Sequence, residues 1–149
     1  MNTEVKEGIG VRETEIRALL EDWADAHRVK DADRITSHCT PDIVQFIMAP
    51  PLQFNGAKAF DKKAWFSTFE GPIGYEVHDL NITTGDDLAF CRFLSRLSAK
   101  SAAAGKFSMW NRVTLGFRKM NGRWLVTHVH QSVPFYMDGS FKAAVDLKP

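Results

Sequence analysis

Two long runs of alternating residues, 106–119 and 123–133, are separated only by Met120-Asn121-Gly122. Asn-Gly between alternating runs is the strongest short hairpin signal, because both residues tolerate the positive φ of a tight turn. Arms of this length commit the chain to long antiparallel strands. Two further extended runs, 73–83 and 88–99, precede the hairpin and are set off by Gly85-Asp86-Asp87 and by residues 101–105. The carboxy-terminal half therefore reads as a four-strand meander.

The amino-terminal half has a helical period. From Arg12 to Lys30, the residues Ile16, Leu19, Leu20, Trp23, Ala24 and His27 recur at spacings of three and four, one face of an amphipathic helix. Asp31 caps a short second helix from Ala32 to about Cys39, and Pro41 ends it. Ile43 to Met48 is a short strand, stopped by Pro50 and Pro51, which cannot donate to a ladder. A third helix runs from about Ala57 to Phe69 with Phe60, Ala64, Trp65 and Phe69 as its apolar positions, closed by Gly71 and Pro72. Helices followed by strands indicate an α+β fold, with three helices on one face of a curved antiparallel sheet. Residues 1–11 read as a flexible tail and 12–149 as a single domain.

Alternation assigns the faces of the hairpin. One face of the third long strand carries Phe107, Met109, Asn111, Val113, Leu115 and Phe117; the other carries Ser108, Trp110, Arg112, Thr114 and Gly116. On the last strand, Trp124, Val126, His128, His130 and Ser132 alternate with Leu125, Thr127, Val129, Gln131 and Val133. Neither face is polar, so both must be covered, one by the helices and one by a second copy of the chain. Phe107, Met109, Val113, Leu115, Leu125 and Val129 are expected at that homodimer interface. Trp110, Arg112, Thr114, His128 and His130 are then expected to face the helices, unless a bulge in the hairpin inverts the assignment.

Composition excludes several classes. Lys plus Arg (19) nearly balances Asp plus Glu (18), so no net field draws in nucleic acid or an anionic membrane. No apolar run approaches the roughly 20 residues needed to span a bilayer, and no signal segment opens the chain. Cys39 and Cys91 have no metal or redox spacing and read as buried thiols in a reducing cytoplasm. Eleven Phe, four Trp and two Tyr exceed what a minimal core requires and suggest an apolar pocket.

The order of helix, short helix, Pro-ended strand, helix and meander resembles the nuclear transport factor 2-like superfamily. That group includes SnoaL-like polyketide cyclases, ketosteroid isomerase, scytalone dehydratase and the association domain of calcium/calmodulin-dependent kinase. The most specific match is NGRWLVTHVHQSVPF, residues 121–135, supported by Arg112-Val113-Thr114, by residues 85–89 and by Pro41-Asp42. The resemblance spans roughly residues 12 to 135 and implies a cone-shaped sheet around a cavity. It implies less about chemistry, since the superfamily holds isomerases, lyases, cyclases, hydrolases and binding modules. One departure is plain. Ketosteroid isomerase carries its Asp base at the end of the first strand, before a Pro, whereas this chain reads Phe46-Ile47-Met48-Ala49-Pro50. Steroid isomerisation by two Asp residues is therefore not expected.

Three residues are the candidates for catalysis. Arg112 suits a ligand carboxylate or enolate oxygen; an internal ion pair with Asp42 or stacking on Trp110 would equally account for it. His130 and His27 are candidates for proton transfer. His128 and His130 lie on one strand, but no third ligand has useful spacing and no metal is expected. His128 is read as a pocket-wall histidine bonded to a backbone carbonyl. Trp23, Phe46, Met48, Trp65, Phe69, Trp110, Thr114 and His128 are the candidate ligand-binding residues, with plain core packing the competing reading for the aromatic ones. His38 reads as a helix-end residue and Asp79 as structural. The expected activity is cofactor-free isomerisation, dehydration or cyclisation of a hydrophobic cyclic or aromatic carbonyl compound. The alternative is a dimeric binding or assembly module without catalysis.

Overall fold

The computed structural model describes residues 3–149. Helix α1 (Thr3–Arg28) is followed by α2 (Ala32–Ser37), β1 (Cys39–Phe46), β2 (Phe54–Asn55) and α3 (Lys62–Ser67). Strands β3 (Gly74–Thr84), β4 (Leu88–Ser101), β5 (Gly105–Met120) and β6 (Arg123–Ser132) complete the fold. The expected α+β class holds. Of the expected tail, residues 1 and 2 lie outside the described residues, and α1 takes up the chain from Thr3.

Local chemistry explains the boundaries. Asp31 caps α2 by accepting from the Arg34 N–H at 3.1 Å, and Asp61 caps α3 by accepting from the Ala64 N–H at 3.0 Å. The second cap starts α3 five residues later than the apolar spacing had suggested. Asn121 and Gly122 both take positive φ, 52° and 77°, as a two-residue hairpin turn requires.

The six strands form one curled sheet in the order β2-β1-β6-β5-β4-β3. It is mixed rather than purely antiparallel, because β1 runs parallel to β6. Three irregularities bend it. Asp79, at φ 55°, and Leu80 together oppose Phe93 between β3 and β4. Thr127 is an extra residue in β6, between the Gly116–His128 and Phe117–Val126 pairs. Beside it β1 loses register with β6 between Cys39 and Val44. Thr40 Oγ1 meets Thr127 Oγ1 at 3.3 Å, so the two irregularities are bonded to each other. Bulges increase local twist, and these three turn the sheet into a cup.

The bulge at Thr127 overturns the face assignment. Trp124 and Val126 point into the cup, but beyond the extra residue it is Val129 and Gln131 that point inward, and His128 and His130 point out. Strand β5 has no such slip, so Phe107, Met109, Asn111, Val113, Leu115 and Phe117 all face the helices. The five residues expected at an interface along with Leu125, namely Phe107, Met109, Val113, Leu115 and Val129, instead belong to the interior. Leu125 remains on the outer face, opposite Arg118.

The interior is closed by α1. Ile16, Leu19, Leu20, Trp23 and Ala24 bury its apolar stripe against the sheet, as the helical spacing requires. Its carboxy-terminal end is tied to β3: the Ile73 N–H donates to the Arg28 carbonyl (3.2 Å) and Arg28 Nε donates to the Tyr75 carbonyl (3.0 Å). Those bonds hold the last turn of α1, and with it His27, over Tyr75. After β6, the chain folds back through a Phe135–Ala143 bridge and buries Ala144.

Candidate functional site

A cavity of about 310 Å³ lies between the cup, the end of α1 and α3. Its walls are mainly apolar: Trp23, Ile47, Met48, Phe60, Trp65 and Phe69 on the helix and β1 side, Leu97, Phe107, Met109 and Val129 on the sheet side. Trp65 anchors an aromatic cluster, with ring centres 5.1 Å from both Phe66 and Phe69. Few polar groups enter this space: His27, Gln45, Lys62, Tyr75, Asn111 and Gln131. An apolar chamber with a handful of convergent polar groups is the usual form of a small-molecule site.

His27 and Tyr75 form its most ordered element. Their rings stack at 4.6 Å between centres, with 23° between planes. His27 Nδ1 lies 2.7 Å from the Trp23 carbonyl oxygen, which accepts only, so Nδ1 carries the proton and Nε2 keeps its lone pair. Burial pushes the His27 pKa down to about 4; the Trp23 carbonyl opposes the shift, and the Lys62 and Arg28 charges add to it. The ring is thus neutral at pH 7. Burial likewise pushes the Tyr75 phenol up to about 12, so its hydroxyl stays a donor.

Among the described residues that hydroxyl makes no close hydrogen bond, though the Ser95 hydroxyl and the Trp23 indole lie near enough to offset part of the rise; Ser95 Oγ and Asn111 Oδ1 are likewise without a close partner. Ser95 and Asn111 face each other across β4 and β5, and Asn111 Nδ2 donates to the Ser95 carbonyl at 3.3 Å. Buried polar atoms left unpaired cost about 1–3 kcal/mol each, and two of these residues, Tyr75 and Asn111, border the cavity.

Five of the sequence candidates line this cavity: Trp23, His27, Met48, Trp65 and Phe69. The other six do not. Trp110, Arg112, Thr114, His128 and His130 lie on the convex face for the reason given by the Thr127 bulge, and Phe46 lies there because it alternates with the buried Ile43 and Gln45 on β1. There Arg112 is exposed and donates from Nε to Ser132 Oγ at 3.1 Å, rather than pairing with Asp42 or reaching a ligand in the cup. His128 Nδ1 sits 2.7 Å from the Val44 carbonyl oxygen, the backbone role expected of it, though on the outside. The Phe46 ring stands edge-on to both His128 and His130, at 4.8 and 5.3 Å. Trp110 meets His78 at 4.8 Å. His38 caps the end of α2 and pairs with Asp22, whose carboxyl Arg34 and then His38 hold down at about 2. Cys39 and Cys91 are free and buried, their thiols pushed up by burial to about 11 and 12.

Sequence reasoning missed Lys62, Tyr75, Asn111, Gln45 and Gln131. Asn111 and Gln131 were the polar members of faces otherwise apolar, and that pattern was the available signal. Tyr75 stood next to the turn that opens β3, and nothing in its neighbours marked it.

A family model for the SnoaL-like domain matches residues 16–136. This chain belongs to the SnoaL-like family. No curated protein matches it. Among solved structures, it is 34% identical to a nuclear transport factor 2-like protein of unknown function from Pseudomonas putida KT2440, with a TM-score of 0.85 over 94% of this chain and 98% of the other. A "Putative Scytalone Dehydratase" from Novosphingobium aromaticivorans shares 15% identity at TM-score 0.73, covering 90% and 91% of the two chains. The association domain of C. elegans calcium/calmodulin-dependent kinase II shares 16% at TM-score 0.66, covering 85% and 98%. The last two share the fold with this SnoaL-like chain. Among its described residues, no helix is long and apolar enough to cross a membrane.

Proposed function

We propose that this SnoaL-like protein binds a hydrophobic cyclic or aromatic carbonyl compound in the cup and catalyses cofactor-free proton transfer on it. The observation that carries this reading is a buried, neutral His27 stacked on Tyr75 in the wall of an otherwise apolar chamber. A ligand carbonyl oxygen placed at Tyr75 accepts its hydrogen bond, and the bond strengthens as the oxygen gains enolate charge. His27 Nε2 accepts the proton leaving the adjacent carbon. A base of that strength is comparable to the carboxylates that perform enolisation elsewhere. These roles replace those first expected of Arg112 and His130. Neighbours named for dehydratase chemistry are consistent with this class of reaction.

Proton exchange tests it. Wild-type protein in D₂O is expected to speed exchange of the α-hydrogens of 2-tetralone, and His27→Gln to lose about 100-fold of that rate. Equal exchange by wild type, His27→Gln and Tyr75→Phe would overturn the catalytic reading.

A second reading is favoured by one observation: among the described residues no carboxylate lines the cavity. A binding module without turnover would keep the stacked pair as a ligand clamp only. In either case we infer a homodimer through the convex sheet face, where Phe46, Leu94, Trp110 and His130 supply apolar and aromatic surface. The two free thiols fit a reducing compartment such as the cytoplasm.

A further inference from the structure

Lys62 is the one charged side chain among the residues lining the cavity, His27 being neutral. It opens α3, and Asp61, the residue before it, spends its carboxylate on the helix cap. The Lys62 amine donates to Gln45 Oε1 at 3.3 Å and lies 5.7 Å from the centre of the Phe60 ring. Gln45 is itself buried and fixed, its Nε2 donating to the Gly56 carbonyl at 3.3 Å. The next residue, Lys63, points to solvent and pairs with Asp33 at 3.3 Å. Among the described residues Lys62 has no such carboxylate. Burial holds its amine below the usual lysine range.

A partly buried cation with only a neutral amide and an aromatic face for company lacks compensation. Among the described residues the cavity lining carries positive charge and no negative charge. We propose that Lys62 is the anchor for a carboxylate group on the ligand, so that the site selects ring-bearing acids. The inference rests on the cup being a ligand site and adds the charge of its occupant. Gln45 holds the amine at the β1 side of the cup, while Tyr75 stands on β3, at the other end of the strand order. A carboxylate at Lys62 places the rest of the acid in the apolar chamber. Phe60 and Trp65 on the same side would cover the ring next to the carboxylate.

The experiment compares two probes of equal shape, 2-naphthoate and 2-naphthamide, by isothermal titration calorimetry at pH 7. Wild type is expected to bind the acid at least tenfold more tightly than the amide. Lys62→Met is expected to abolish that preference while still binding the amide, and Lys62→Arg to retain it. Met is close to Lys in length and removes a desolvated charge, and Lys62→Arg covers the case in which Lys62→Met does not fold. Equal affinity of wild type for both probes would overturn the anchor, as would a preference that survives in Lys62→Met. Amide binding would in those cases leave the pocket reading standing. Failure of both probes to bind would overturn the anchor and the pocket together.

Discussion

The His27 imidazole lies flat against the Tyr75 ring, 4.6 Å between centres, with Nδ1 committed to the Trp23 carbonyl one turn earlier. This arrangement fixes tautomer, orientation and charge state at once. It also predicts how the fold responds to acid. The unfolded chain takes up a proton at His27 near its ordinary pKa of 6.5, whereas the folded protein resists until about 4. Between those values the unfolded state binds more protons, so stability falls as pH falls through the window. The loss is on the order of 3 kcal/mol by pH 4. Urea unfolding followed from pH 7.5 to 4 should show the decline in wild type and a flatter profile in His27→Phe. Asp22, held at about 2, loses its contribution only below that window.

Tyr75→Phe is expected to separate stability from binding. The hydroxyl it removes is buried and makes no close hydrogen bond, with the Ser95 hydroxyl and the Trp23 indole as its neighbours. Its loss should leave the fold unchanged or stabilise it by about 1 kcal/mol in chemical denaturation. Affinity for a carbonyl ligand in the cup should fall in the same variant. A clear loss of stability would mean that the hydroxyl is bonded within the fold and not kept for a ligand.

The bulge at Thr127 can be tested through the strand opposite it. Leu115, fully buried, should cost about 2–5 kcal/mol when cut to Ala. Arg112→Ala, on the convex face, should leave ligand binding in the cup unchanged. The reverse pattern would restore the face assignment that alternation alone suggested.

That assignment shows where the sequence is legible and where it is not. The Asn121-Gly122 turn, the periodic stripe Ile16–Leu20–Trp23 and the cap at Asp31 are local, and each acts within a few residues. They carry the four-strand meander, the helix order and the family; the short β2 and the late start of α3 at the Asp61 cap escaped them. A bulge depends on a neighbouring strand: Thr127 slips where β1, distant in sequence, loses its own register at Thr40. One slipped residue moved His128, His130 and, by the parity inferred from them, Arg112 and Trp110 to the wrong side. Trp23 and His27 were placed correctly because they sit on a regular helix. Lys62 and Tyr75 escaped notice because their surroundings, Gln45 for one and His27 for the other, come from elements distant in sequence.

The convex face yields a prediction of its own. Trp110→Asp puts a charge beside His78 on this face, and should shift the protein from dimer to monomer in sedimentation velocity at micromolar concentration. A wild type that sediments as a monomer would remove that face from the account.

The four tryptophans report the central claim directly, because they divide by location: Trp23 and Trp65 line the cavity, Trp110 lies on the convex face, and Trp124 is buried in the core away from the cavity. The decisive measurement follows their indole N–H resonances by ¹H–¹⁵N NMR during titration with 1-tetralone. Saturable shifts at Trp23 and Trp65, with Trp110 and Trp124 unmoved, are the predicted result. Shifts centred on Trp110, or none at Trp23 and Trp65 at saturating ligand, would contradict a carbonyl-binding site in the cup.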